Sequence, residues 1–424
     1  MISEVFRARF GRAVATLTIG SVAAQAVGYL CAPFLTRLYS AEDFGSAGVY
    51  TSLAAILAQG VNGKFELAIG LPREETEARG AVLLALGASI GTCLIVSLLV
   101  VCFQHRICEA LNLYALQEWL VLLPGTLFLM GLQQALQYHL TRMGWFSVLS
   151  AGQWTQALGT SLGRISLGAL QWGASGLVVG TVIGLTWNSA TLLAALWRRR
   201  WVTLTGSLPT GRQLAATARR FAEFPLYAAP SSMLNLLGSS LPLLVINRYH
   251  SSTDAGHFNL AALVIGVPCS VFAGAIGQAL FHRAAEERRA GRSVRALVRR
   301  LVITLAGLAF CPLVLVATFG PSLFATVFGP AWRPAGEYAR VIAIAFAAQL
   351  IVSPLSMLFP VLGAVRLGSL WKFCFFCTTL LTAVAAGRRA LSLYLTLFAL
   401  HDVALYFFQF YLVRRSLDAA EAPC

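Results

Sequence analysis

Arg37-Leu38-Tyr39-Ser40-Ala41-Glu42-Asp43-Phe44-Gly45 is written a second time in this chain, as Arg248-Tyr249-His250-Ser251-Ser252-Thr253-Asp254-Ala255-Gly256. Arg37, Asp43 and Gly45 return as Arg248, Asp254 and Gly256, each 211 positions later, and half of the 424 residues is 212. The chain therefore reads as two copies of one unit. In each copy an apolar stretch ends at this loop and another follows it. The repeated residues read as turn architecture rather than ligands. An Asp caps the following helix and faces its positive end, and a Gly permits tight approach.

Composition identifies the solvent. Hydrophobic residues make up 58% of the chain, charged residues 12%, and mean hydropathy is +0.73. A soluble domain is about a quarter charged. Apolar runs close to the ~20 residues that cross a bilayer core recur along the whole length. Twelve spans are predicted, at 13–35, 46–69, 80–103, 119–140, 147–169, 174–197, 226–246, 257–281, 301–319, 338–362, 369–386 and 391–413. They are too long for barrel strands, so helices are expected throughout. The first run lacks a small-residue cleavage site and reads as a retained span. Duplicated halves in so apolar a chain imply a transporter that rocks one half against the other.

A formal charge of +15 suggests nucleic acid until its placement is considered. Of the 32 basic residues only Lys64 and Lys372 are Lys. With both termini cytoplasmic, twenty-two Arg fall in cytoplasmic segments, among them Arg198-Arg199-Arg200 and seven between Arg283 and Arg300. The opposite side holds seven, in short loops. That asymmetry orients a membrane protein, so no nucleic-acid partner is expected. The implied location is the bacterial cytoplasmic (inner) membrane, as a multi-pass protein. Nine cysteines form no metal or disulfide framework. Cys374-x-x-Cys377 has no second pair or partnering His and reads as apolar filler in a lipid-embedded helix. No cofactor is implied. No phosphate-binding G-x-x-x-x-G-K-[ST] is present, so the chain is not read as an ATPase, and the longest candidate external loop, about 104–118, holds only His105, Arg106, Glu109 and Glu118, too thin for a membrane enzyme.

The expected organisation is an N-terminal six-helix bundle over 1–200, a cytoplasmic linker over 201–225 and a C-terminal six-helix bundle over 226–424. Within the linker, Leu214, Ala218, Phe221 and Phe224 share one face of a helix over 211–224, with Arg212, Arg219 and Arg220 mostly elsewhere. Two readings stay open: an interfacial helix on anionic headgroups, or a solvated connector. The other long connector, 282–300, is Arg-dense, and its first-half counterpart Pro72–Arg79 is also charged.

Several segments are similar to the polysaccharide flippases of the multidrug/oligosaccharidyl-lipid/polysaccharide exporter superfamily. Pro33-Phe34-Leu35-Thr36, running on into Arg37–Gly45, resembles their first periplasmic turn. Phe65-Glu66-Leu67-Ala68-Ile69 with Leu71-Pro72 resembles the end of their second span. Phe224-Pro225-Leu226-Tyr227 with Pro230-Ser231 resembles the start of the seventh. Gly277-Gln278-Ala279-Leu280-Phe281, then Arg283-Ala284-Ala285-Glu286, resembles the close of the eighth. Order and spacing agree over about 5–80 and 220–290. The resemblance implies an oligosaccharide on a polyprenyl pyrophosphate as cargo, moved from the cytoplasmic to the periplasmic leaflet. It also implies membrane lipids as partners, and a polysaccharide polymerase or chain-length complex downstream.

Such a cargo needs a polar path, because the bilayer core offers no hydrogen bonds. Asp402, near the middle of its span, is the clearest candidate: a proton or ion coupling site, a glycan contact, or a structural partner for an Arg or a backbone group. A coupling ion would be H+ or Na+. His401, one position on, is expected to point to a different side and to pack. Arg164 either engages the pyrophosphate bidentately, pairs with Asp402, or snorkels to the periplasmic surface. Lys64 and Glu66 are two apart on one helix and are not expected to pair with each other; Glu66 belongs to the matching motif. Lys372, near a span end, reads as snorkelling. Thr18, Ser21, Gln25 and Gly28 form a small polar face on the first span. Ser231, Ser232, Asn235 and Ser239 do so on the seventh. Each lines a cavity or simply lets helices approach.

The sequence thus points to an all-α polytopic membrane protein with about twelve transmembrane helices. They would form two pseudo-symmetric six-helix bundles around a central cavity and flip a lipid-linked oligosaccharide by alternating access. The rival is a small-molecule or multidrug antiporter of the same superfamily, which would call for a carboxylate-rich cavity. Span interiors here hold Lys64, Arg164 and Lys372 against Glu66 and Asp402, tilting the balance towards an anionic head group.

Overall fold

The computed structural model describes residues 2–198, 209–290 and 292–420, with side chains from Gly20 onward except Val365 and Ala420. Thr18, Arg199 and Arg200 lie outside the described side chains, as does the first part of the expected linker. Every regular element among the described residues is helical. The first half comprises α1 (Ile2–Leu38), α2 (Ala41–Ala58), α3 (Phe65–Ala68), α4 (Glu75–Leu111), α5 (Leu123–Arg142), α6 (Phe146–Ala169) and α7 (Ala174–Arg198). A short α8 (Gly211–Arg220) follows. The second half comprises α9 (Ala229–Tyr249), α10 (Ser252–Arg289), α11 (Arg295–Phe328), α12 (Arg333–Val352), α13 (Leu358–Val361), α14 (Val365–Ala386) and α15 (Leu391–Ala420). The chain divides into two compact units, Met1–Leu236 and Leu237–Cys424.

Each of the twelve predicted spans is helical over most of its length. Nine helical segments among the described residues are long and apolar enough to cross a bilayer. The other three expected spans fall on α1, α2 and α6; α6 is less apolar because one face carries Gln153, Gln156 and Arg164. Several helices outrun their predicted spans. α1 and α10 have 37 and 38 residues, about 55 Å of helix each at 1.5 Å per residue, against about 30 Å of hydrocarbon; α4, also 37 residues, is kinked at Phe103.

The span predicted over 46–69 is not one helix. α2 stops at Ala58, tight turns follow, and Gly63 and Lys64 both take left-handed backbone, with φ of 56° and 59°. Gly63 adopts that conformation without steric cost, whereas Lys64 does so as the residue that opens α3. Arg142 at the end of α5 secures the far side of α3, donating to the carbonyls of Ile69 (3.2 Å) and Pro72 (2.7 Å).

The repeated loops are helix starts with one shared design. Ser40 Oγ accepts from Asp43 N–H at 3.1 Å, and the Asp43 carboxylate accepts from Ser40 N–H at 2.9 Å, closing a capping box on α2. Ser251 Oγ accepts from Asp254 N–H at 3.0 Å and donates to its carboxylate at 2.6 Å, starting α10. The cap itself is thus the serine, with the repeated Asp three residues inside. The partners beyond the loop differ. Tyr39 is buried and donates to the carbonyl of Arg164 at 2.6 Å. In the second unit Asp254 accepts from Tyr338 at 2.7 Å. Burial, and to a lesser degree the Asp43 carboxylate, push the Tyr39 phenol up to about 12 against the lowering pull of Arg164, so it stays a neutral donor at physiological pH.

Backbone contact through glycine sets the packing in both units. A Cβ added to Gly163 of α6 would sit 3.1 Å from the Cα of Gly180 on α7, and one at Gly184 only 1.9 Å from Thr160 Oγ1. A Cβ on Gly336 of α12 would sit 2.4 Å from the carbonyl oxygen of Gly320 on α11. Helices gain little from excluding apolar surface within lipid, so close approach of small residues carries their association. α8 belongs to the first unit. It opens with its own capping box at Thr210 and Gln213, and Arg220 reaches Glu77 of α4 at 2.7 and 2.8 Å. Of its expected apolar face, Phe221 is buried against Ala68, Ile69, Ala81 and Val82. The helix stops at Arg220, and a turn and a π-helical stretch, Phe224–Ala228, then lead into α9.

Candidate functional site

α1 and α6 of the first unit border an open cavity of about 420 Å³. Gln153, Gln156, Thr160 and Arg164 follow one another at spacings of three and four, so all face one side of α6. They meet Ser21, Gln25 and Gly28 of α1 across the space. Ser21 Oγ donates to Gln153 Oε1 at 2.6 Å, and Asn188 of α7 donates to Gln156 Oε1 at 2.7 Å. The wall is therefore tied to both neighbouring helices. Among the described residues no Asp or Glu lines this cavity.

Arg164 is its cation. The stem lies against α7 at Gly180, where a Cβ would come within 2.5 Å of the Arg164 Cγ. Nε donates to the Leu177 carbonyl at 3.3 Å and Nη2 to Thr181 Oγ1 at 2.8 Å. A guanidinium has five N–H groups. Two are used here, and the remaining three, on Nη1 and Nη2, form the edge that grips phosphate or carboxylate bidentately. No carboxylate pairs with Arg164 among the described residues. Asp402 belongs to the other unit.

In the second unit the intramembrane carboxylate has a local partner. His401 Nδ1 lies 3.1 Å from Asp402 Oδ1, and His401 Nε2 lies 2.8 Å from Thr378 Oγ1 on α14. The expectation that the two residues point apart is corrected. Their Cβ atoms do diverge by about 100° around the helix, but the imidazole turns back to bridge Asp402 to α14. The proton count of this network is constrained. Thr378 Oγ1 donates to the carbonyl of Cys374 at 2.6 Å, so towards His401 it acts as acceptor. His401 Nε2 must then carry its proton. The 3.1 Å contact between Nδ1 and the carboxylate closes as a hydrogen bond only with a proton between them, since two lone pairs repel.

A third polar group sits where α2 breaks. Lys64 Nζ donates to Gln59 Oε1 at 3.1 Å and lies 3.7 Å from Glu66 Oε1. The expectation that Lys64 and Glu66 do not pair fails for a physical reason: Lys64 is left-handed and outside the helix, so helical spacing does not apply. Glu66 is only 2% exposed. Nearby, Asn62 is buried and donates to the Gly131 carbonyl at 2.9 Å. The remaining sequence candidates join none of these groups. Asn235 is exposed on α9 and Lys372 is exposed on α14.

Sequence reasoning passed over Gln153, Gln156, Thr160 and Thr378. The first three were findable, since their spacing with Arg164 marks one polar stripe in an otherwise apolar run. Thr378 carried no signal, because a lone Thr is ordinary in a membrane helix.

Residues 34–337 match the family model described as "Polysaccharide biosynthesis protein". The chain belongs to this polysaccharide biosynthesis family. No curated protein matches it in sequence. Among solved structures, this family member is similar to the inward-facing conformation of a multidrug resistance MATE family transporter of the MOP superfamily, with a TM-score of 0.71 at 14% identity over 95% of this chain and 99% of that one. It is similar to the lipid II flippase MurJ in its inward closed conformation, with a TM-score of 0.69 at 10% identity over 95% and 91%. A MOP superfamily transporter from Pyrococcus furiosus, with a reported reverse polarity of its binding pocket, gives 0.62 at 14% identity over 97% and 96%. At these identities the likeness establishes the fold alone.

Proposed function

We propose that this chain flips a polyprenyl-pyrophosphate-linked oligosaccharide from the cytoplasmic to the periplasmic leaflet of a bacterial inner membrane, by alternating access, for surface polysaccharide assembly. The fold is shared by drug exporters and a lipid flippase, so it does not separate the two. The observation that supports the reading is the α1/α6 cavity, whose polar lining groups are amides, hydroxyls and one guanidinium, set among Ala24, Leu35 and Ala157, with no carboxylate among the described residues. Amide side chains both donate to and accept from sugar hydroxyls. The free edge of Arg164 suits a phosphate oxygen pair. A cationic drug would find no counter-charge there. The prenyl tail can stay in lipid while the head follows the polar wall.

We infer further that the coupling ion is a proton, held by His401 and Asp402. Sodium calls for several oxygen ligands, whereas Asp402 Oδ1 lies 3.1 Å from an imidazole nitrogen. A polymerase that consumes the delivered unit fits downstream. The test is a host deleted for this gene and rescued with variants. Loss of surface polymer, with the intact lipid-linked unit accumulating on the inner leaflet, is expected without rescue and with Arg164→Ala. Normal polymer with heightened drug sensitivity would replace this reading with drug efflux.

A further inference from the structure

α11 and α15 enclose a second cavity, of about 400 Å³, in the Leu237–Cys424 unit, away from the His401–Asp402 group. Its lining changes character along its length. At one end Arg295 Nη2 meets the Asp418 carboxylate at 2.8 Å. One helical turn further in, Arg299 of α11 faces Arg414 of α15. Another turn in, the walls become Val302, Ile303 and Phe410. The floor is Val298, Val413 and Leu417, buried members of an apolar core that fixes both helices. From Arg295 to Ile303 is eight residues, about 12 Å of helix, comparable to the depth of a headgroup layer with the first acyl carbons.

Two observations say what this groove holds. Asp418 offsets one of its three arginines, and Arg299 and Arg414 have no carboxylate partner among the described residues. The groove is open on an apolar side: Ile303 is 62% exposed, and α11 is the least enclosed of the nine segments long and apolar enough to cross a bilayer. A diffusible anion would use the arginines and leave the apolar end empty. A neutral lipid would use the apolar end and leave two guanidinium groups uncompensated. We infer that the α11/α15 groove is a binding site for an anionic glycerophospholipid. Its phosphate lies between Arg299 and Arg414, and an acyl chain lies along Val302, Ile303 and Phe410. The site is independent of the transport reading and does not require it.

The test uses the full-length protein purified in detergent, with phosphatidylglycerol, phosphatidylcholine of the same acyl chains, and glycerol phosphate as probes. Readouts are the thermal unfolding midpoint and the lipid retained in native mass spectrometry. Phosphatidylglycerol is expected to raise the midpoint and to be retained, whereas the other two do neither. Removing one arginine, Arg414→Gln, is expected to weaken retention about fivefold, and Arg299→Gln with Arg414→Gln about twentyfold or more. The control removes the same charge next door, Arg300→Gln with Arg415→Gln, and should behave as the parent. Equal loss in both double variants would reduce the effect to surface charge and overturn the site. Equal stabilisation by glycerol phosphate would overturn the lipid assignment, and equal retention of phosphatidylcholine would overturn the role of the arginines.

Discussion

The two units use their intramembrane polar groups differently. The first arranges neutral amides and hydroxyls around a space and leaves one guanidinium edge free within it. The second has a carboxylate, but binds it along the chain to the neighbouring imidazole and across to α14. One scaffold therefore carries two kinds of chemistry: a wall suited to holding a molecule, and a three-residue network suited to holding a proton. On the proposed reading, the wall holds the cargo's head group and the network holds the coupling proton.

The largest effect should come from the first unit. Arg164→Ala is expected to cut polymer export by at least about tenfold, with Arg164→Lys in between because it keeps the charge and loses the fork. Rescue of a deletion host measures this, and export at the parental level with Arg164→Ala would break the comparison at its first term. Next, Asp402→Asn should leave downhill movement of the lipid-linked unit in proteoliposomes but abolish its response to an imposed pH gradient. An unchanged response would show that the network is structural. Packing comes third: Gly180→Ala, where the Arg164 stem has no room, and Gly336→Ala, against the Gly320 carbonyl, should each cost about 1–3 kcal/mol. Thermal unfolding in detergent reads it, and a cost at only one site would show that the units are not packed alike. The smallest effect separates the twin loops. Ser40→Ala and Ser251→Ala should each cost about 1 kcal/mol, with Ser40→Ala the larger because it also disturbs a reciprocal box.

The spans were legible because lipid leaves the backbone no partner but itself, so each crossing must be a long apolar helix. The turn at Gly60–Lys64 was hidden by the same logic. Its glycines and Asn62 lie within an apolar run that reads as continuous, and helical spacing then gave the wrong relation between Lys64 and Glu66. Arg164 and Asp402 stood out as charges where charge is costly. Their surroundings did not, since Leu177 and Thr181, which hold Arg164, and Thr378, which holds His401 beside Asp402, come from neighbouring helices whose rotation no single span reveals. The α6 stripe was readable from periodicity alone, yet its hydroxyls and amides were less conspicuous than the charges nearby.

The paired caps at Ser40 and Ser251 also bear on ancestry. Each is made by residues three apart, so it travels intact whenever the segment is copied. The tyrosine contacts are made from afar: Tyr39 belongs to its own loop and reaches the Arg164 backbone, whereas Asp254 is met by Tyr338 from another helix. After a duplication, features encoded within a few residues are inherited, whereas those assembled across the fold must be invented again by each descendant half. The twin loops share the locally encoded cap and differ in the contacts assembled across the fold, the pattern this distinction expects.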